Sequence, residues 1–108
     1  MVFEREVSVC NDHPSLAGHF PGHPIVPGVV LLHEVLDTFR QGSMVRRMVV
    51  GLPHVKFSAQ LKPEEVVTIR VEEETATLAT FSCRVQSRLM ASGSIEFRPG
   101  TALRVERE

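Results

Sequence analysis

Three stretches in the second half of the chain alternate apolar and polar residues: Glu65 to Glu72, Thr77 to Gln86 and Leu89 to Phe97. Val67, Ile69 and Val71 share a face of the first. Ala79, Phe81, Cys83 and Val85 share a face of the second, and Leu89, Ala91, Gly93, Ile95 and Phe97 a face of the third. A period of two is the pattern of a strand with one covered face, and three such strands in succession predict an antiparallel sheet. A sheet of this kind needs an apolar element to lie across it, which limits the architectures open to the chain.

That element is found upstream. Pro27-Gly28 opens an apolar run that predicts a helix to about Gln41, with Gly42 placed to cap it. At about 100° per residue, Val29, Leu32, Val35, Leu36 and Phe39 form one stripe, expected to face the sheet. Asp37 and Gln41 fall on the far side, His33 at the edge of the stripe, and Glu34 about 150° from its centre. Val30 and Leu31 are then expected to point away from the sheet, which predicts a second subunit packed over them. Residues 3 to 10 alternate weakly, with Val7 and Val9 on one face, and predict a further strand. Pro53 predicts a break before a short strand from His54 to Ser58, Lys62-Pro63-Glu64 a turn, and the polar stretch after Pro99 a frayed tail. One helix and about five strands give an α+β fold.

Length and composition narrow the classes. The 108 residues suit one domain, residues 1–108, and 43% hydrophobic residues suffice for a core. Twelve basic and 13 acidic residues give no electrostatic case for nucleic acid or a membrane surface. No apolar run reaches the roughly 18 residues a membrane span needs. The opening MVFEREVSVC has acidic residues where a signal peptide carries basic ones, so a cytoplasmic location is expected. Cys10 and Cys83 are too few and too distant for a disulfide framework or zinc cluster, and both fall in strand-like segments as small core residues.

Residues 11 to 27 hold four prolines and two glycines, a long ordered loop of the kind that carries function. Its end runs directly into the helix as HFPGHPIVPGVVLLHE, His19 to Glu34. The rigid loop can aim the His19 imidazole and a few backbone amides at one point. The first ten of these residues, His19 to Gly28, closely resemble the active-site motif of 3-hydroxyacyl-acyl-carrier-protein dehydratases of the FabA/FabZ type. Val55-Lys56-Phe57, the proline turn and the three strands resemble the same family, so the likeness covers most of the chain. The early position of the motif resembles a short branch, similar to the ApeI-type dehydratases of aryl-polyene and related pathways.

The resemblance implies a hot-dog fold, a curled antiparallel sheet wrapped around one helix, with substrate held in a tunnel between two subunits. It implies His19 as the catalytic base and no cofactor or metal; the spacing of His13, His19, His23 and His33 also matches no familiar metal site. It implies acyl carrier protein as the partner that delivers substrate, and a homodimer, a higher oligomer or a heterodimer with a paralogue. The family places an acidic residue fourteen positions after the base, and here that position is His33, with Glu34 next to it.

Dehydration removes a proton beside the thioester carbonyl and protonates the departing hydroxyl. A histidine suits the base role. The Gly28 amide, at a helix N-terminus, suits the developing oxyanion, with the Gly22 amide as a weaker candidate. Phe20, Gly22, Pro27 and Val29 are the expected substrate-binding residues. An imidazole titrates near pH 6.5, so His33 has the chemistry of the second acid. Alternatively, two neighbouring histidines disfavour each other's charge and the activity is lost, which leaves an acyl-binding subunit or one that completes an active paralogue. Glu34 is the other candidate acid, if a local shift brings it into the tunnel; otherwise it is a solvated or interface carboxylate. His23 is expected to support the loop or lie on its surface, and His13 and His54 to be surface or loop residues. Arg46 and Arg47 form a small basic pair, on a solvated face or against the acidic surface of a carrier protein. A thioesterase is the remaining alternative, and the HFPG loop speaks against it.

Overall fold

The computed structural model describes residues 2–9, 26–42 and 47–99. Six elements follow in order: β1 (Val2–Val7), α1 (Gly28–Gly42), β2 (Arg47–Phe57), β3 (Val67–Glu73), β4 (Leu78–Val85) and β5 (Arg88–Pro99). The five strands form one antiparallel sheet in the order β1-β3-β4-β5-β2. The helix lies against β1 and β3. This is the α+β, hot-dog arrangement that the alternation and the resemblance predict.

The covered sheet face is the predicted one. Val67, Ile69, Val71, Ala79, Cys83, Ala91 and Ile95 are fully buried, and Phe81 and Phe97 nearly so. Burial pushes the Cys83 thiol up to about 12, so it stays a neutral core group. Met90, outside the predicted alternation, is also fully buried. A bulge explains it: Cys83 pairs with Ala91 but Arg84 with Leu89, so Met90 is the extra residue on β5. Its carbonyl accepts the N–H of Ser58 at 2.8 Å, which fastens the end of β2.

The start of β2 differs from expectation. β2 does not break before Pro53 but runs through it, with register shifts between Val49 and Gly51 and between Gly51 and His54. Pro53 is tolerated because β2 pairs only with β5 and the irregular register needs no N–H there. Within this stretch His54 is exposed, as predicted, and its carbonyl approaches β5 so closely that a Cβ on Gly93 would collide with it. The turn at Lys62-Pro63-Glu64 is also as predicted. Glu64 takes a φ of 71° after the proline, and its N–H donates to the Val9 carbonyl at 2.9 Å.

The helix is rotated from the predicted phase. Its buried residues are Leu31, Val35, Thr38 and Phe39, a face whose centre lies about 75° from that of the predicted stripe. Leu31, expected to face a second subunit, is in the core at 4% exposure, Val30 packs partly against it, and Val29 is 72% exposed. Hydropathy misplaced the centre because one inward position is the polar Thr38. Its hydroxyl donates to the Glu34 carbonyl at 2.8 Å and accepts from Arg5 Nε at 3.0 Å, so its burial leaves no polar atom unpaired. Phe39 stacks against Phe3 and Phe97 with ring centroids 6.1 and 5.0 Å away.

Arg47 also departs from expectation. It is not a solvated basic residue: its side chain is 15% exposed, and its guanidinium lies over the Phe39 and Phe97 rings, 5.8 and 5.1 Å from their centroids. Arg47 Nη1 is 2.5 Å from Glu73 Oε2. That contact is a largely buried ion pair. It ties the start of β2 to the end of β3, strands that are not neighbours in the sheet. Arg46 lies outside the described residues.

Candidate active site

The mouth of α1 is built by three contacts. Val26 is buried and its N–H donates to the Leu61 carbonyl at 2.8 Å, which anchors the chain just ahead of the helix. The Pro27 carbonyl then accepts the N–H groups of Val30 and Leu31 at 3.0 and 3.4 Å, starting the helix. Gly28 is covered by the Phe57 ring: a Cβ there would lie 2.7 Å from Cζ. A larger residue at 28 would have to push this ring aside. Phe57, 49% exposed, lies against this helix start, and the alternation does not single it out. Its only sequence signal is the Val-Lys-Phe triplet shared with the resembled family.

His33 and Glu34 are neighbours in sequence and take different partners in space. By helical geometry His33 lies about 175° from the centre of the buried face, so it points directly outward and not along the edge of a stripe. Its side chain is 69% exposed. Its Nδ1 is 3.6 Å from Asp37 Oδ2, and Asp37 Oδ1 is 3.8 Å from Arg40 Nη1. Glu34 instead turns toward β1. Arg5 Nη2 donates to Glu34 Oε1 at 2.9 Å and to the Glu34 carbonyl at 3.1 Å, while Arg5 Nε holds Thr38. One guanidinium thus binds a carboxylate, a carbonyl and a hydroxyl, clamping the helix to the strand. The cleft beside this clamp, about 330 Å³ in volume, is lined by Phe3, Glu4, Arg5, Thr38, Gln41 and Gly42.

His33, Glu34 and Asp37 could offer one metal-ligand atom each within 4.8 Å of one another. Arg5 and Arg40 already sit on the two carboxylates, which puts positive charge where a cation would need none. Among the described residues, no helix is long and apolar enough to cross a membrane. His19, Phe20 and Gly22, with His13, His23 and Cys10, lie outside the described residues. The structure brings Pro27, Gly28 and Val29 together at the helix mouth, with His33 about 7.5 Å further along the axis by the helical rise.

A helix held in a curled five-stranded sheet, with exposed groups on its outer face, defines a protein of the hot-dog class. The profile of the ApeI-like family, described as ApeI dehydratase, matches residues 2–94, and the chain belongs to that family. Among curated relatives, the 3-hydroxyacyl-[acyl-carrier-protein] dehydratase FabZ of Chlamydia trachomatis serovar L2 is 30% identical over 112 residues, covering 90% of this chain and 71% of the relative. FabZ of Streptococcus pyogenes serotype M5 is 27% identical, covering 93% and 88%. The dehydratase heterocomplex ApeI:P from Xenorhabdus doucetiae superposes with a TM-score of 0.78 at 20% identity, covering 90% of this chain and 87% of that one. The fluoroacetyl-CoA-specific thioesterase FlK shares the fold, with a TM-score of 0.68 at 12% identity over 91% and 90% of the two chains.

Proposed function

We propose that this protein dehydrates 3-hydroxyacyl thioesters carried on acyl carrier protein to trans-2-enoyl thioesters. Membership of a dehydratase family supports the reaction class, and the names of the FabZ relatives support the carrier-bound substrate. The observation that carries the reading is the outward display of His33 from the helix that Pro27-Gly28 opens. In this scheme His19 removes the C2 proton, the Gly28 N–H at the helix N-terminus receives the charge on the thioester oxygen, and His33 protonates the leaving C3 hydroxyl. Phe20, Gly22, Pro27 and Val29 form the substrate walls. Exposed Val29 and Phe57 support a partner subunit at the helix mouth, either a second copy or a paralogue. The heterocomplex neighbour makes the paralogue a concrete choice.

A second reading is a subunit that has given up the chemistry. Its support is specific: the family's acidic position is a histidine, and the adjacent carboxylate is held by Arg5. The deciding experiment is mass-detected conversion of a 3-hydroxyacyl-carrier protein by the purified chain, run beside His19→Ala, His33→Ala and His33→Glu. Water loss by the parent, abolished in both alanine variants, is the expected result. A silent parent with activity gained in His33→Glu establishes the second reading, and thioester cleavage in place of water loss establishes a thioesterase.

A further inference from the structure

On the outer face of α1, Asp37 places each carboxylate oxygen toward a different cationic or protonatable group. Oδ2 is 3.6 Å from His33 Nδ1 and Oδ1 is 3.8 Å from Arg40 Nη1. Side chains on a helix lean toward its N-terminus, so Asp37 leans back onto His33 one turn earlier. Helix stability favours the opposite order for such a pair, acid before base by four residues. The Asp37–Arg40 pair does follow the favoured order. Glu34, the other carboxylate near His33, is turned to Arg5 on β1.

We propose that Asp37 is a positioning residue for His33: it holds the imidazole by Nδ1 and leaves Nε2 to face the substrate. The proposal rests on the reading of His33 as proton donor. A carboxylate beside Nδ1 attracts an N–H and repels a lone pair, so the neutral ring keeps its proton on Nδ1. In the imidazolium form, Nε2–H then has one geometry. As the C3–O bond breaks, the Nε2 proton passes to the departing oxygen and water leaves. The bonding pair freed at C2, whose proton goes to His19, becomes the new C2–C3 double bond. His33 is left neutral, with its remaining proton on Nδ1 against Asp37. Arg40 restrains the far oxygen of Asp37 and so the plane of its carboxylate. The 3.6 Å separation is longer than a hydrogen bond, so the proposal requires it to shorten when substrate binds.

The test reads the ring directly. In ¹⁵N-labelled full-length protein, long-range proton–nitrogen correlations give the tautomer of neutral His33. The expected result is mainly Nδ1–H in the parent, mainly Nε2–H in Asp37→Ala, and recovery of Nδ1–H in Asp37→Glu. With carrier-bound substrate, Asp37→Ala is expected to lower kcat about tenfold or more with KM little changed, and Asp37→Glu to restore most of it. The same tautomer ratio in parent and Asp37→Ala overturns the pairing. A changed ratio with unchanged kcat overturns its role in the reaction. Full activity in His33→Ala overturns the proton-donor reading and the catalytic half of this proposal with it; the tautomer ratio distinguishes that failure from failure of the pairing.

Discussion

The two long faces of α1 are built from the same fifteen residues and do opposite work. The inner face carries Leu31, Val35, Thr38 and Phe39 into the core, and Glu34 at its border is locked to Arg5. The outer face carries Val29, His33, Asp37 and Arg40, with the charged groups in loose contact; Val29, His33 and Arg40 are exposed and Asp37 partly so. One residue of sequence, about 100° of rotation, separates a glutamate used for architecture from a histidine available for chemistry. Of the residue at the family's acid position and the carboxylate next to it, the imidazole is exposed and the carboxylate is held by Arg5. Which neighbour is free depends on the strand beneath the helix.

The comparison predicts that inner-face substitutions cost stability and outer-face ones cost function. Phe39→Ala, at a fully buried position between two rings, is expected to cost about 3–5 kcal/mol by denaturant unfolding. Cys83 supplies an independent reporter in a Cys10→Ser background. With the folded thiol pushed up to about 12 from an ordinary 9.0, it stays protonated and unreactive at pH 8 until the fold opens. The sign follows from linkage: the raised value stabilises the fold below pH 9 and that contribution is lost as pH rises toward 12. Faster labelling of Cys83 in Phe39→Ala is therefore expected, in step with the loss of stability.

His33→Ala should do the reverse. The side chain is mostly exposed, so unfolding is expected to change by no more than about 0.5 kcal/mol. Dehydration is expected to fall by about a hundredfold or more. A large loss of stability without loss of rate would erase the distinction between the faces. Glu34→Gln is the smaller, complementary case. It weakens a half-exposed ion pair while keeping the side chain's shape, for a loss of about 1 kcal/mol that shrinks in high salt. If Glu34→Gln instead abolished dehydration at unchanged stability, the acid would be Glu34 and the assignment of the two faces would be reversed.

How far this division could be read beforehand differs by element. The sheet faces were legible because a period of two leaves two choices, and Val67, Ile69 and Val71 leave only one. The helix phase was not, because Thr38 is polar and inward while Val29 is apolar and outward. Hydropathy cannot see that Arg5, 33 residues away, satisfies the Thr38 hydroxyl. Arg47 failed for the same reason: its partner Glu73 and its two rings come from elements distant in sequence. Pro53 read as a break because a proline removes a ladder donor, and only the strand order shows β2 pairing on one side alone. In the candidate site, the presence of His33 on α1 was legible, though the periodicity put it at the edge of the buried stripe and not directly outward. The capture of Glu34 by Arg5 was not, since nothing local links residue 5 to residue 34.

The smallest effect tests what covers the outer face. Val29 is 72% exposed, and in an isolated subunit Val29→Ala is expected to change stability by less than about 0.5 kcal/mol. In the proposed assembly Val29 and Phe57, both exposed in the single chain, lie in a subunit contact. Association then links stability to concentration, because a partner that binds only the folded chain raises its melting temperature by mass action. The expected outcome is a melting temperature of the parent that climbs with protein concentration, and a Val29→Ala curve that departs from it most where the assembly is half dissociated. Superimposable curves at every concentration would mean that the helix mouth is not at a contact between copies. The outer face would then be open in the purified chain, and mixing with a candidate paralogue becomes the measurement that decides between an active assembly and a solitary subunit.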